Sequence, residues 1–505
     1  MNTRRGYAVV IVLSLLVVPL LSGLAITPAP QAAQAKQSSL VFDINNFTVE
    51  SVLVGSETIT FRAYRNIVYV TNPAQIVFPL NTIYQKLNVF VPVDIPIDAY
   101  ATHDGPIFLP NTVGGYNPGL PAEPTRNEVK TALAEGLVVV APGARGRTNY
   151  DSAHIYNGKA PAAIVDLKAA VRYLRFNDNI MPGDAEKIIS SGTSAGGALS
   201  TLLGATGNNK DFEPYLDAIG AAKEKDDIFA TNAYCPITNL DNSDTAYEWL
   251  FYGLNDYYFL GGGTMTGDRL IISEELKDMF PAYLNSLELY QSEPRNENGV
   301  GLLHAPGQIK QGVALTLDAD GEGSFKDYVK SFIIDSAQTA VEKGTDLSGY
   351  SWIEFDADGN VEDIDFAAYV AYVRRMKPAP AFDGIFGPSW ENNLFGTATI
   401  ADQHFTQYSF ATPYGTWDAP LADWDIIKMM NPMYYIDASG TTTSHYWRIR
   451  HGGTDADTAV PIPVILATKL TNTGYDVDFA VPWGQGHGGN YDLEELFDWI
   501  ETISE

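Results

Sequence analysis

The 505-residue sequence predicts an α/β fold, with a mostly parallel central sheet, helices on both faces and a large inserted lid. Three observations predict it. Short apolar runs alternate with stretches of helical periodicity in the first half, and the same alternation returns near the C-terminus. Roughly 190 residues of different character separate the two. Strand–helix alternation favours parallel pairing, because each helix carries the chain back across a face of the sheet.

Taken in order, residues 87–95 (LNVFVPVDI) and 105–113 (GPIFLPNTV) read as strands. Residues 129–136 read as a short helix, and 137–146 (LVVVAPGARG) as an apolar strand running into a glycine-rich loop. Residues 160–177 carry apolar side chains at helical spacing, 186–192 (EKIISSG) read as a strand, and 194–205 open the next helix. TNAYCPITNL reads as a buried strand and its exit, which makes Cys235 a structural thiol. At the C-terminus, 444–452 and 475–483 read as strands flanking a helix at 462–474. A last helix, 490–503, carries Leu493, Leu496, Phe497 and Ile500 on one face.

The middle contains helical stretches at 325–344 and 366–377. A hairpin is expected over 352–366, with Asp358-Gly359 at its turn. Two acidic loops, 318–323 and 356–360, resemble half of a calcium loop. Neither sets glycine at the sixth position and a carboxylate at the twelfth, so they read as turns. The expected organisation is a signal peptide over 1–35, a core over 36–240 and 431–505, and an inserted lid over 241–430 that completes a pocket.

Arg4 and Arg5 precede an apolar run from Ala8 to Leu21, and Ala33-Gln34-Ala35 offers a small-residue cleavage site. That order is a secretory leader's, which predicts a secreted protein cleaved after Ala35. An uncleaved N-terminal anchor is the alternative. A net charge of −29 argues against nucleic acid and against anionic membrane surfaces as partners. The single cysteine excludes an internal disulfide.

The chemistry centres on KIISSGTSAGGALS, residues 187–200, where Ser194 has a glycine two positions to each side. Chance alone supplies on the order of 0.2 G-x-S-x-G matches in a chain of this length, so context must decide. A phosphate cradle would want a following lysine, and none follows. A strand before and a helix after make Ser194 a nucleophile on a sharp turn, with the Ala195 N–H at the helix start facing an oxyanion. A serine needs a base, and the base an orienting acid. RHGGTDADT supplies Asp455 after one late strand, and GQGHGGN supplies His487 after the last. His103, His154, His304 and His404 leave no such strand, His445 opens one and His451 ends one. A second oxyanion donor is expected from LPNTVGGYNPG, with Gly115 the choice. No metal or organic cofactor is implied.

LPNTVGGY, VVVAPGARGR, SSGTSAGGALS, AYCPITNLD, RHGGTDADT and the later G-H-G-G resemble the bacterial tannases of the lactic-acid-bacterial type, within the α/β-hydrolase superfamily. The resemblance runs through nearly all of the chain after its leader. It implies an esterase that cleaves galloyl esters to release gallate, with the triad Ser194, Asp455 and His487 keeping the family's 32-position spacing of acid and base. It also implies that Lys377, Glu391 and Asp457 grip the hydroxyls of the galloyl ring; without it, all three read as surface charges. A feruloyl or general carboxylesterase of the same fold is the nearest rival. A serine peptidase and an inactive hydrolase-like binding protein are further ones. Against the first, this sequence has no propeller-like repeat before the hydrolase region; against the second, all three triad candidates are present.

Overall fold

In the computed structural model, residues 38–291 and 312–505 are described. The expected leader, 1–35, lies outside them, and so does His304. Nine strands form one sheet: β1 (Thr48–Val54), β2 (Glu57–Val68), β3 (Lys86–Pro92), β4 (Ile107–Pro110), β5 (Val138–Pro142), β6 (Ile188–Thr193), β7 (Ala230–Tyr234), and, much later, β14 (Tyr446–Arg450) and β15 (Asp476–Ala480). Their order is β1-β2-β3-β5-β4-β6-β7-β14-β15. From β5 to β15 every pairing is parallel; β1, β2 and β3 add to one side antiparallel.

The sheet is buried on both faces because its strands are apolar at successive positions. Val138 and Val140 face one cluster with the helices Ala162–Phe176 and Ala195–Ala205. Val139 faces the opposite cluster, with Val129 and Leu133 of the helix Asn127–Ala134 and Leu496, Phe497 and Ile500 of the helix Leu493–Ser504. Each such side chain contributes on the order of 1.5–3 kcal/mol by leaving water. The β1–β2 hairpin, turning at Gly55-Ser56, has no counterpart in the sequence reading. No residue of β1 is buried, and its apolar stretch is only Val52-Leu53-Val54, shorter than the runs of the core strands.

Between β7 and β14 none of the described residues adds a strand to this sheet. They form three small pairs instead: β8 with β9 (Asp256–Tyr257, Gly263–Thr264), β10 with β11 (Tyr290–Gln291, Val313–Ala314) and β12 with β13 (Ile353–Phe355, Val361–Ile364). The last is the hairpin expected around Asp358-Gly359. The helix Phe366–Val373 is shorter than the expected 366–377: Arg374 takes φ +70, so Lys377 lies in the loop beyond. Both acidic loops close on themselves as turns, with Asp356 accepting the N–H groups of Asp358 and Asn360. Among the described residues no helix is long and apolar enough to cross a membrane.

Candidate active site

Ser194 stands between β6 and the helix Ala195–Ala205 with φ 61 and ψ −125, a conformation L-residues rarely adopt. Its N–H donates to the Tyr234 carbonyl at 2.9 Å, and its own carbonyl accepts from Ala198 at 2.9 Å. The flanking glycines make the turn possible. A Cβ on Gly192 would meet the Gly196 carbonyl oxygen at 2.3 Å, and one on Gly196 would meet the side chain of Asn111 and the carbonyl of Val113, each at 2.7 Å.

His487 reaches this serine from the loop after β15. Its Nε2 lies 2.8 Å from Ser194 Oγ, and its Nδ1 lies 2.9 Å from Asp455 Oδ2. The acid loop and the histidine loop are bonded to each other, Gly453 N–H to the Pro482 carbonyl at 2.9 Å and Thr454 N–H to that of Gln485 at 2.8 Å. Asp455 is buried, and its other oxygen accepts the N–H groups of Asp457 at 2.8 Å and Thr458 at 3.3 Å. Burial opposes its ionisation, but His451 and His487 beside it and the hydrogen bond from His487 outweigh that and hold it at about 2. Burial likewise disfavours a charged His487, yet the charge and hydrogen bond of Asp455 prevail, so its pKa stands above the ordinary histidine value.

Two N–H groups are candidates to hold an oxyanion, that of Ala195 beside Ser194 and that of Gly115, which lines the same cavity. The Gly114 carbonyl accepts from Asn117 N–H at 3.0 Å, which turns the Gly115 N–H on the same peptide the opposite way. Neither that N–H nor that of Ala195 has an acceptor among the described residues. Both are free to bond an anionic oxygen.

A cavity of about 400 Å³ opens at this point, lined by Ser194, His487, Gly115, Lys377, Glu391 and Asp457. Lys377 Nζ donates to Asp457 Oδ1 at 2.9 Å and lies 4.0 Å from the centre of the Phe382 ring. Tyr247 sets this corner: it accepts the Lys377 N–H at 2.9 Å and donates to the Ala456 carbonyl at 2.8 Å. Glu391 is buried and accepts no bond from another side chain among the described residues. Burial pushes its pKa up, against the pull of Lys377. It follows Ser389, whose hydroxyl caps the short helix Trp390–Leu394.

The structure therefore brings together all eight residues singled out in the sequence, although Lys377 and Ser194 are 183 positions apart. Sequence reasoning missed the apolar walls. Half-exposed Trp390 packs edge-on to Phe259 and takes the Arg147 guanidinium over its ring, while Ile237 lines the cavity too. It also missed His451, which lies buried behind Asp455 with Nδ1 3.6 Å from Oδ2. His404 is committed elsewhere, to Asp383 at 2.7 Å.

Comparison with known proteins narrows the chemistry. A family model described as BD-FAE matches residues 114–249. A tannase from Fusobacterium nucleatum is 45% identical with a TM-score of 0.82, over 92% of this chain and 99% of that one. A tannin acyl hydrolase from Lactobacillus plantarum is 42% identical with a TM-score of 0.84, over 94% of this chain and 100% of that one. A tannin acyl hydrolase in complex with ethyl gallate is similar at 42% identity and a TM-score of 0.84, over 93% of this chain and 100% of that one. No curated protein matches.

Proposed function

The chain belongs to the tannase family of α/β-hydrolases, and from that premise we propose that it is a serine esterase hydrolysing galloyl esters through an acyl-enzyme. One observation carries the substrate assignment. Lys377, Glu391 and Asp457 converge on the same small cavity that Ser194 and His487 open into. An ammonium donates to a phenolic oxygen, and carboxylates accept phenolic O–H groups. A plain aromatic acyl group would leave the buried Glu391 carboxyl without a partner in the site, while Lys377 and Asp457 would keep only each other.

In the proposed reaction His487 Nε2 takes the proton of Ser194 Oγ as that oxygen attacks the ester carbonyl. The Ala195 and Gly115 N–H groups hold the resulting oxyanion, and Asp455 keeps His487 in the tautomer with its proton on Nδ1. His487 then protonates the departing alcohol, and water, activated in the same way, releases gallate. Trp390, Phe259 and Ile237 supply the apolar faces against which ring and alcohol rest.

Sites built to bond hydroxyls reject analogues lacking them by as much as about 10⁴–10⁵-fold. Methyl gallate is therefore expected to turn over far faster than methyl ferulate or methyl benzoate. Glu391→Gln and Lys377→Ala are each expected to lower kcat/KM for methyl gallate by roughly 10²-fold while changing methyl benzoate little. Equal rates on the three esters would remove the galloyl assignment, and unchanged selectivity in the variants would remove the roles given to these two residues.

Secretion is part of the proposal and rests on Arg4, Arg5, the apolar run and the Ala33-Gln34-Ala35 site. Exported protein is expected to begin at Lys36. Exported protein that retains Met1 would favour the uncleaved anchor.

A further inference from the structure

We infer that Cys235, His451 and Asp455 form a binding site for a soft divalent cation of the zinc and cadmium class, and that its occupation stops hydrolysis by drawing Asp455 away from His487. The three side chains are buried, and one ligand atom from each lies within 4.8 Å of the other two. Among the described residues His451 Nδ1 has no hydrogen-bond partner, and it lies 3.6 Å from Asp455 Oδ2. Cys235 Sγ faces the carbonyl oxygens of Gly488 at 3.4 Å and Gly486 at 3.8 Å, contacts that a weak thiol donor gives up at little cost.

The donor set suits such an ion. Thiolate and imidazole select zinc-like and softer metals over magnesium or calcium. Bonds of about 2.0–2.3 Å in a tetrahedron set ligand atoms roughly 3.6 Å apart, so about 1 Å of closure completes the site. Charge balances too. The buried Asp455 carboxylate and a Cys235 thiolate together neutralise a dication, with His451 as the neutral third ligand. On binding, the Cys235 thiol releases its proton to solvent, the sulfur–metal bond forms, and the ion sheds water; nothing is oxidised or reduced. The Asp455 oxygen that now accepts from His487 Nδ1 turns to the metal. Entry passes the glycine-rich loop over the thiol, where Gly484 and Gly486 are exposed, so inhibition develops with time rather than at once.

The inhibitory half rests on the role proposed for Asp455; the binding half does not, and the test separates them. Because the chain has one cysteine, a thiolate-to-cadmium charge-transfer band can arise only at Cys235. Titration of the full chain with Cd²⁺ is expected to raise that ultraviolet band to saturation at one ion per chain. Hydrolysis of 4-nitrophenyl acetate should fall in parallel and return with a chelator. Mg²⁺ should do neither. Cys235→Ser should show no band and keep its hydrolysis in Cd²⁺, and His451→Gln should raise the half-inhibiting Cd²⁺ concentration by roughly tenfold or more. Absence of the band from the unaltered protein overturns the site. A band without loss of hydrolysis, or equal loss in Cys235→Ser, overturns the switch.

Discussion

Ser194→Ala is expected to abolish ester hydrolysis, lowering kcat by on the order of 10⁴–10⁶-fold while leaving gallate binding intact. The geometry isolates the effect. Ser194 Oγ is bonded to His487 Nε2 at 2.8 Å, so alanine removes the attacking atom and disturbs little else. Any rate that survives comes from the oxyanion donors and from binding alone. The same position makes a second, opposite claim about stability. At φ 61 and ψ −125 a residue with a Cβ is strained, at a cost of about 1–3 kcal/mol. Ser194→Gly should thus be as inactive as the alanine variant yet unfold at higher denaturant concentration. Urea unfolding of both variants checks this. If glycine is no more stable than alanine, the turn is not strained; if alanine retains more than about a hundredth of the activity, Ser194 is not the nucleophile.

That serine was legible because its constraints are local. A strand, two glycines and a helix start lie within a dozen residues, and each leaves its mark in the sequence. Asp455 and His487 were legible one step further out, as polar residues in loops leaving apolar strands. Lys377, Glu391 and Asp457 were not legible from chemistry alone. Charged residues in a loop read as surface, and only the fold puts them inside a cavity. Tyr247 shows why. It joins the Lys377 backbone to Ala456 across separations of 130 and 209 positions, so nothing near Lys377 in the sequence announces its burial. The β1–β2 hairpin escaped for a different reason: an edge strand with no buried residue and one half-covered face carries only the short stretch Val52-Leu53-Val54, a weaker signal than the core strands give. His451 escaped because a histidine ending a strand is usually packing. Its place behind Asp455 depends on Cys235, Asp455 and Gly488 arriving from three separate loops.

Asp455→Asn is expected to cost about 10⁴-fold in kcat with the fold intact. The reason lies in how its two oxygens are held. Oδ1 accepts the backbone N–H groups of Asp457 and Thr458, so an asparagine must keep its carbonyl oxygen there. Its NH₂ then occupies the place of Oδ2, 2.9 Å from His487 Nδ1, and faces it as a donor. Nδ1 must become the acceptor, the ring proton moves to Nε2, and His487 can no longer take the proton of Ser194. The pH profile follows the same carboxylate. Asp455 raises the pKa of His487 above the ordinary histidine value, and hydrolysis needs the neutral ring, so kcat/KM of the unaltered enzyme should fall on acidification with a midpoint above that value. In Asp455→Asn the larger raising charge is gone while the burial and the smaller effect of Asp457 remain, so the acid midpoint of the residual activity should move down. Asp455→Ala separates tautomer from charge: it also lowers the midpoint but leaves Nδ1 free to keep its proton, and so should retain more activity than asparagine. If asparagine proves the more active of the two, the orientation argued for Asp455 fails.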